Sequence, residues 1–151
     1  MLRSAWMLAA RLLAYIAAQE RCYADDDWTR LEPFFAEDAV HEVSGGAPLG
    51  GRWQGRAAVI RSLRERAEAL DRRFDDRVLW PRGVPAEKGD SVALPWRGIY
   101  RLERAPAQVL TIEGTLVATF AKDRISVLRD QLRPGTDRLV EAYLRRHRLV
   151  S

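Results

Sequence analysis

The chain has 151 residues, of which 47% are hydrophobic and 30% charged, a composition typical of one soluble globular domain that excludes disorder and fibrous repeats. Cys22 is the single cysteine, and His41 and His147 are the two histidines, so we expect neither a disulfide framework nor a metal site. The net charge of +4 is small and spread along the chain, which favours a mixed solvated surface and makes a nucleic-acid partner unlikely.

The N-terminal segment is predicted to form an amphipathic helix from Ala5 to about Tyr23. Its apolar residues share one face at the spacing of an α-helix. Arg11 interrupts the apolar run, which is therefore too short for a membrane span or for the core of a secretory signal. We expect no membrane association and a cytoplasmic location. The residues of the apolar face are Leu8, Leu12, Tyr15 and Ile16.

The next segments alternate between helix and strand. A short helix is predicted from Trp28 to Phe35, a strand from Ala39 to Val43, and a third helix from about Arg56 to Leu70. The loop over 44–51 contains four glycines, but they do not have the spacing of a dinucleotide-binding fingerprint. No cofactor is therefore expected.

The second half of the chain changes from helical to strand periodicity. Strands are predicted over 74–80, 91–104, 109–120 and 124–132, and the short connections between the last three indicate an antiparallel meander. Helices followed by such strands predict an α+β fold in which a curved sheet wraps around the N-terminal helices and encloses a pocket. We expect one domain over residues 1–151, with its core over about 8–133 and a basic tail over 134–151.

Three segments, in this order, resemble the nuclear transport factor 2-like, or SnoaL-like, superfamily. They are LEPFFAEDAVHEV at 31–43, GRWQGRAAVIRSL at 51–63 and ATFAKDRISVLRDQL at 118–132. The resemblance implies a cone-shaped α+β domain, a homodimer formed through the outer sheet face, and, in many members, a small enzyme that works without a cofactor.

The resemblance extends in part to the site residues of two enzyme groups of this superfamily. Ketosteroid isomerases carry acidic groups where this chain has Val43 and Leu116, so that chemistry is not expected. Limonene-type epoxide hydrolases are partly matched, because Arg97 and Asp130 stand where that group has an arginine and an aspartate. Ile99 replaces its second aspartate. The positions of its tyrosine and asparagine are His41 and Val43 here, so a polyketide-cyclase-like or lyase-like relative fits equally well.

Alternation along the strands singles out the candidate catalytic residues. Asp130 shares a face with Leu128 and Leu132, and a carboxylate on an apolar face must be paired or have a raised pKa, as a general acid–base requires. His41 lies on the inward face of its strand and could exchange a proton near neutral pH. Arg97 alternates with Trp96, so hydrophobicity points it outward. The family comparison points it inward to orient Asp130, which would need a bulge at Pro95.

The predicted pocket is apolar and lined partly by aromatic residues, which favours a small hydrophobic substrate. The leading hypothesis is a cofactor-free enzyme that uses general acid–base chemistry for epoxide hydrolysis, isomerisation, cyclisation or lyase-type elimination. The alternative is a ligand-binding or protein-binding module of the same fold without turnover. The predicted lining residues are Trp28, Val43, Ile99, Leu116, Leu128 and Leu132.

Overall fold

The computed structural model describes residues 7–149 and contains three α-helices and two 3₁₀ helices in that range. The predicted helix start at Ala5 lies outside the described residues. None of the described helices is long and apolar enough to cross a bilayer. The helices are α1 (Met7–Asp25), α2 (Arg56–Ala69) and α3 (Thr136–Arg146), and the 3₁₀ helices are Trp28–Phe34 and Asp71–Arg73.

Seven strands form one curved sheet with the order β2-β1-β7-β6-β5-β3, and β4 pairs with β5 beside β3. The pairs β5–β6 and β6–β7 are antiparallel, so the predicted meander is confirmed. Strand β1 pairs with β7 in parallel, a contact between distant parts of the chain that local sequence signals do not encode. The strands are β1 (Phe35–Val43), β2 (Gly51–Gln54), β3 (Asp76–Pro81), β4 (Ala86–Lys88), β5 (Ser91–Arg101), β6 (Leu110–Ala121) and β7 (Arg124–Leu132).

The inner face of the sheet packs on α1 and α2. The predicted apolar face of α1 is confirmed, since Leu8, Leu12 and Tyr15 are buried and Ile16 is partly buried in the same core cluster. The fold is therefore the α+β arrangement that the sequence predicts, a curved sheet wrapped around N-terminal helices.

The C-terminal residues differ from the predicted basic tail, because α3 packs its apolar face against the sheet. Val140, Tyr143 and Leu144 are buried in a second core cluster at this end of the sheet. His147, within this predicted basic tail, is buried, and its ring lies 4.2 Å from the ring of Tyr143. This helix was not predicted, because the arginines of the segment make it basic overall and obscure the helical spacing of its apolar residues.

The alternation of side chains between the two faces of β5 decides which of them reach the interior. The pairing of β5 with β6 runs without a register shift from Ser91 to Tyr100, so no bulge at Pro95 reverses the alternation. Gly98 lies on the same face as Trp96 and Tyr100. A Cβ at Gly98 would lie 2.8 Å from Cδ2 of Leu79 on β3, so the glycine makes room for that side chain.

Candidate active site

A cavity of about 190 Å³ lies between α1, α2 and the inner face of the sheet. Its walls combine apolar side chains with charged groups, most of which are buried and one of which, Glu20, is exposed. The apolar part includes Trp28, Leu63, Leu94, Trp96, Leu116 and Leu128. The polar part includes Tyr15, Glu20, Arg66, Asp71, Arg77, Tyr100 and Asp130.

Asp130 lies on β7 at the wall of this cavity, and its side chain is only 10% exposed. Its Oδ2 accepts a hydrogen bond of 2.8 Å from the Arg66 guanidinium and lies 3.9 Å from Nε2 of His41. Burial by itself would raise the pKa of Asp130, but Arg66 and His41 together hold that pKa below its usual value. The sequence predicts that Asp130 is either paired or has a raised pKa, and in the structure it is paired with Arg66.

Arg66 on α2 is the partner of Asp130 that the sequence analysis missed. A signal for it exists, because Leu63, Arg66, Ala67 and Leu70 follow the spacing of one helical face. An arginine within an apolar stripe needs a buried anion, and a carboxylate on the facing strand supplies it. The helical stripe therefore marks Arg66 as an arginine that needs a buried anion, but it does not say which carboxylate supplies that anion.

His41 lies behind Asp130, at the wall of a second cavity of about 210 Å³. The Ser62 hydroxyl donates to the Val59 carbonyl at 2.6 Å, so it accepts at 2.9 Å from Nδ1 of His41. With Nδ1 donating to Ser62, Nε2 is the ring nitrogen that faces Asp130. Within residues 7–149, Nε2 has no hydrogen-bond partner. The imidazole stacks on Trp53, with 5.3 Å between the ring centres.

A second charged group lies on the same cavity wall and includes Asp71 and Arg77. Nε of Arg77 is 3.0 Å from Oδ2 of Asp71, and its terminal nitrogens donate to Glu20 at 3.2 Å. The guanidinium also lies 3.9 Å above the ring of Tyr23. Burial raises the pKa of Asp71, and Arg77 and Arg66 offset part of that rise. Across residues 7–149, no three histidine, cysteine or acidic side chains are grouped to hold a metal ion.

Tyr100 contributes a hydroxyl among these charges. Burial, and after it the charge of Asp71, raises the pKa of Tyr100, so the phenol stays protonated and can donate a hydrogen bond. In the described range, this hydroxyl has no protein partner, whereas the Tyr15 hydroxyl donates to Gln19 at 2.5 Å. Three tyrosines line the cavity, and of the two that are fully buried, Tyr15 and Tyr100, the latter has a donor available to a ligand.

The expectation that Arg97 orients Asp130 is wrong. Its NH2 group is 2.8 Å from Glu113, and both side chains belong to the outer face of the sheet. The physical reason is the unbroken alternation of β5, which turns Trp96 and Tyr100 inward and leaves Arg97 outside. Hydrophobicity alone pointed Arg97 in the right direction.

The predicted lining residues are divided among three places. Trp28, Leu116 and Leu128 line the main cavity, and Val43 lines the second cavity behind it. The prediction that Ile99 lines the pocket is wrong. Ile99 pairs with Val78 and Thr111 and lies on the outer face, because the alternation of β5 is unbroken. The prediction that Leu132 lines the pocket is also wrong, because Leu132 packs against the second core cluster near α3 and lines neither cavity.

A family model described as a SnoaL-like domain matches residues 14–128, which is most of the chain and ends just before Asp130. The chain belongs to the SnoaL-like family. The match confirms the resemblance to this superfamily that the three short segments indicated. The partial likeness to epoxide hydrolases stays a prediction. None of the curated proteins matches the chain in sequence.

Solved structures of this fold resemble the SnoaL-like chain at low sequence identity. A putative isomerase from Rhodopseudomonas palustris is 21% identical, with a TM-score of 0.67 over 89% of this chain and 96% of its own. A putative polyketide cyclase from Sinorhizobium meliloti is 24% identical, with a TM-score of 0.55 over 78% and 94%. TerC, co-crystallised with polyporic acid, is 18% identical, with a TM-score of 0.63 over 87% and 98%. At these identities, the likeness establishes the fold.

Proposed function

We propose that this SnoaL-like protein is an acid–base enzyme that acts on a small, largely apolar carbonyl compound, with Asp130 as the proton acceptor. The observation that carries the proposal is a buried carboxylate, paired with Arg66, on the wall of an otherwise largely apolar cavity. Both polar contacts of this carboxylate within residues 7–149 are made by Oδ2. Oδ1 is the oxygen available to a substrate.

The environment of Asp130 favours a base over an acid. A carboxyl group whose pKa lies below its usual value is ionised at neutral pH and can take a proton but has none to give. In the proposed step, Oδ1 takes a proton from the carbon beside a carbonyl group, and the electron pair of the broken C–H bond moves to the carbonyl oxygen. Tyr100 donates a hydrogen bond to that oxygen, and Arg66 and Arg77 add positive charge nearby.

This step supports two of the reaction types that the sequence left open. In a β,γ-unsaturated ketone, return of the proton from Asp130 to the γ carbon of the dienolate completes an isomerisation. In a substrate with a second carbonyl group, attack of the enolate carbon on that group gives an alkoxide, and transfer of the proton from Asp130 to the alkoxide completes a cyclisation. Structural neighbours named as a putative isomerase and a putative polyketide cyclase agree with this choice. The cavity of about 190 Å³ is smaller than the roughly 300–1,000 Å³ typical of drug-sized ligands, which suits one or two rings.

The test is the exchange of α-protons of 2-tetralone in D2O, followed by NMR, because it detects proton abstraction without knowledge of the natural product. We expect exchange well above the buffer rate, and no acceleration of styrene oxide hydrolysis measured in parallel. Binding of 2-tetralone without exchange would support the alternative, a module that binds ligands without turnover. Hydrolysis of styrene oxide instead would favour the epoxide-hydrolase-like reaction.

Tyr100→Phe removes the proposed hydrogen-bond donor and keeps the ring. We expect the exchange rate to fall by about 10²-fold, the lower end of the range for an oxyanion donor, because Arg66 and Arg77 remain. Tyr143→Phe is the matched control, since its hydroxyl bonds to the carbonyl of Gln108, away from the cavity. Equal rates for Tyr100→Phe and the wild type would exclude this role of the hydroxyl.

We also propose that the chain forms a homodimer through the outer face of the sheet. Ala93 and Val117 pair on that face, and Val127 lies on it opposite Thr119. These partly exposed apolar side chains would gain burial in a dimer. Light scattering at micromolar concentration should give twice the chain mass of 17.2 kDa. A mass of one chain would refute the proposal.

A further inference from the structure

On most protein surfaces charged side chains are exposed and apolar ones are buried, but in the main cavity this distribution is largely reversed. Most of its charged side chains are buried: those of Arg77, Asp130 and Arg66 are 7%, 10% and 18% exposed, and Glu20, at 45%, is the exception. Its exposed apolar residues include Leu79 and Trp80, which are 39% and 49% exposed. A cavity with buried charges and an apolar opening matches a ligand that enters with its polar group first.

Three residues form the apolar opening, which we call the rim: Leu13, Leu79 and Trp80. Leu13 lies on α1 and is 47% exposed, and the other two follow one another on the edge strand β3. Leu79 pairs with Gly98 on the inner face, whereas Trp80 pairs with Arg97 and borders the cavity from the edge of the sheet. Leu79 is held in place by the space that Gly98 leaves on the neighbouring strand. Arg77 precedes it on the same face of β3, so the strand leads from a buried charge to an exposed apolar side chain.

We propose that the rim is a binding subsite for an apolar chain or ring that extends from the ligand held in the cavity. This inference rests on the proposed function for the position of the ligand's polar group beside Asp130 and Tyr100. The ligand class is thereby narrowed to amphiphilic compounds with a compact polar head and an apolar extension.

The rim is continuous with the cavity, so the part of the ligand expected on the rim is the apolar part of a molecule whose polar group lies in the cavity. The three rim residues line the same cavity as Asp130, so a ligand with its head there passes over them on its way out. A cavity of about 190 Å³ is filled by one or two rings, so any longer apolar part must lie on the rim. Each methylene that is moved from water onto this surface should strengthen binding about three- to fourfold.

The experiment measures the dissociation constants of 4-alkylphenols, from methyl to pentyl, by isothermal titration calorimetry. The double variant Leu79→Thr/Trp80→Thr removes the apolar rim of β3 and keeps residues that favour strands. The matched control is Val84→Thr/Val109→Thr, which replaces two exposed apolar residues that do not line the cavity. We expect the wild type and the control to bind more tightly by about three- to fourfold for each added methylene. In the rim variant, this gain should be largely lost, while the affinity for 4-methylphenol changes less than twofold.

Two results would overturn the rim proposal: an unchanged dependence on chain length in the rim variant, or an equal loss for all phenols. A change of molecular mass in the rim variant with unchanged phenol binding would assign the rim to contact with a second copy of the chain instead. The failure of the proposed function is distinguishable, because phenol binding requires no turnover. Loss of 2-tetralone exchange together with an intact chain-length dependence would refute the reaction and leave the subsite standing.

Discussion

Replacing Asp130 by asparagine is expected to lower the rate of α-proton exchange of 2-tetralone by about 10²–10⁴-fold, the usual contribution of a general base. The amide has nearly the shape of the carboxylate but cannot accept the proton. The comparison is made at equal occupancy, because the amide can also alter affinity for the ketone. NMR exchange rates at saturating 2-tetralone measure the effect directly.

The matched control for this variant is Asp76→Asn, which changes an aspartate of an exposed ion pair, 3.5 Å from Arg101 on the next strand. We expect it to leave exchange unchanged. Circular dichroism of both variants checks that the fold persists, since Asp130→Asn leaves the buried Arg66 without its counter-charge. A folded Asp130→Asn protein with the wild-type exchange rate would refute the role of Asp130 as the base.

Replacing Arg66 by leucine is expected to lower the free energy of unfolding by about 3–5 kcal/mol at neutral pH, because it leaves a buried carboxylate without its partner. Urea unfolding of Arg66→Leu and of the wild type gives the difference. The exposed counterpart, Arg101→Leu, should change the free energy of unfolding by no more than about 0.5 kcal/mol. A loss of that small size for Arg66→Leu would contradict the importance of the buried pair.

The pH dependence of this loss has a definite sign. In the wild type, the lowered pKa of Asp130 contributes stability that is present above the unfolded-state pKa and is lost as the pH falls through the lower folded-state value. Without Arg66, burial is opposed only by His41, so we expect the folded-state pKa of Asp130 to rise above the unfolded-state value. The difference between wild type and variant should then shrink as the pH falls from 7 to about 4.

A second variant keeps this prediction testable if Arg66→Leu does not fold. Arg66→Leu/Asp130→Leu removes both charges together, and an apolar replacement of a buried pair is often neutral or stabilising. We expect the double variant to recover most of the lost stability while it loses proton exchange. Continued instability of the double variant would assign the loss to packing and not to the unpaired charge.

The sequence by itself determined the periodic features of this protein. The apolar face of α1 and the antiparallel meander of β5, β6 and β7 were predictable, because their residues repeat at 3.6 and 2 positions. Alternation also placed Asp130 and His41 on the inward face, and the order of three short segments identified the family. These properties are local, since each depends on residues that are neighbours in the chain.

The tertiary structure alone decided which groups share the cavity. Arg66 reaches Asp130 across 64 positions of the chain, and Arg77 reaches Glu20 across 57, distances over which no residue spacing carries information. Hydrophobic alternation pointed Tyr100 inward, but only the unbroken register between β5 and β6 excluded the opposite direction that a bulge at Pro95 would have produced. A buried charge requires a partner, but the sequence does not say which of its many arginines supplies it. The packing of a helix against a curved sheet makes that choice, because it brings one guanidinium within 2.8 Å of the carboxylate and leaves Arg97 on the opposite face.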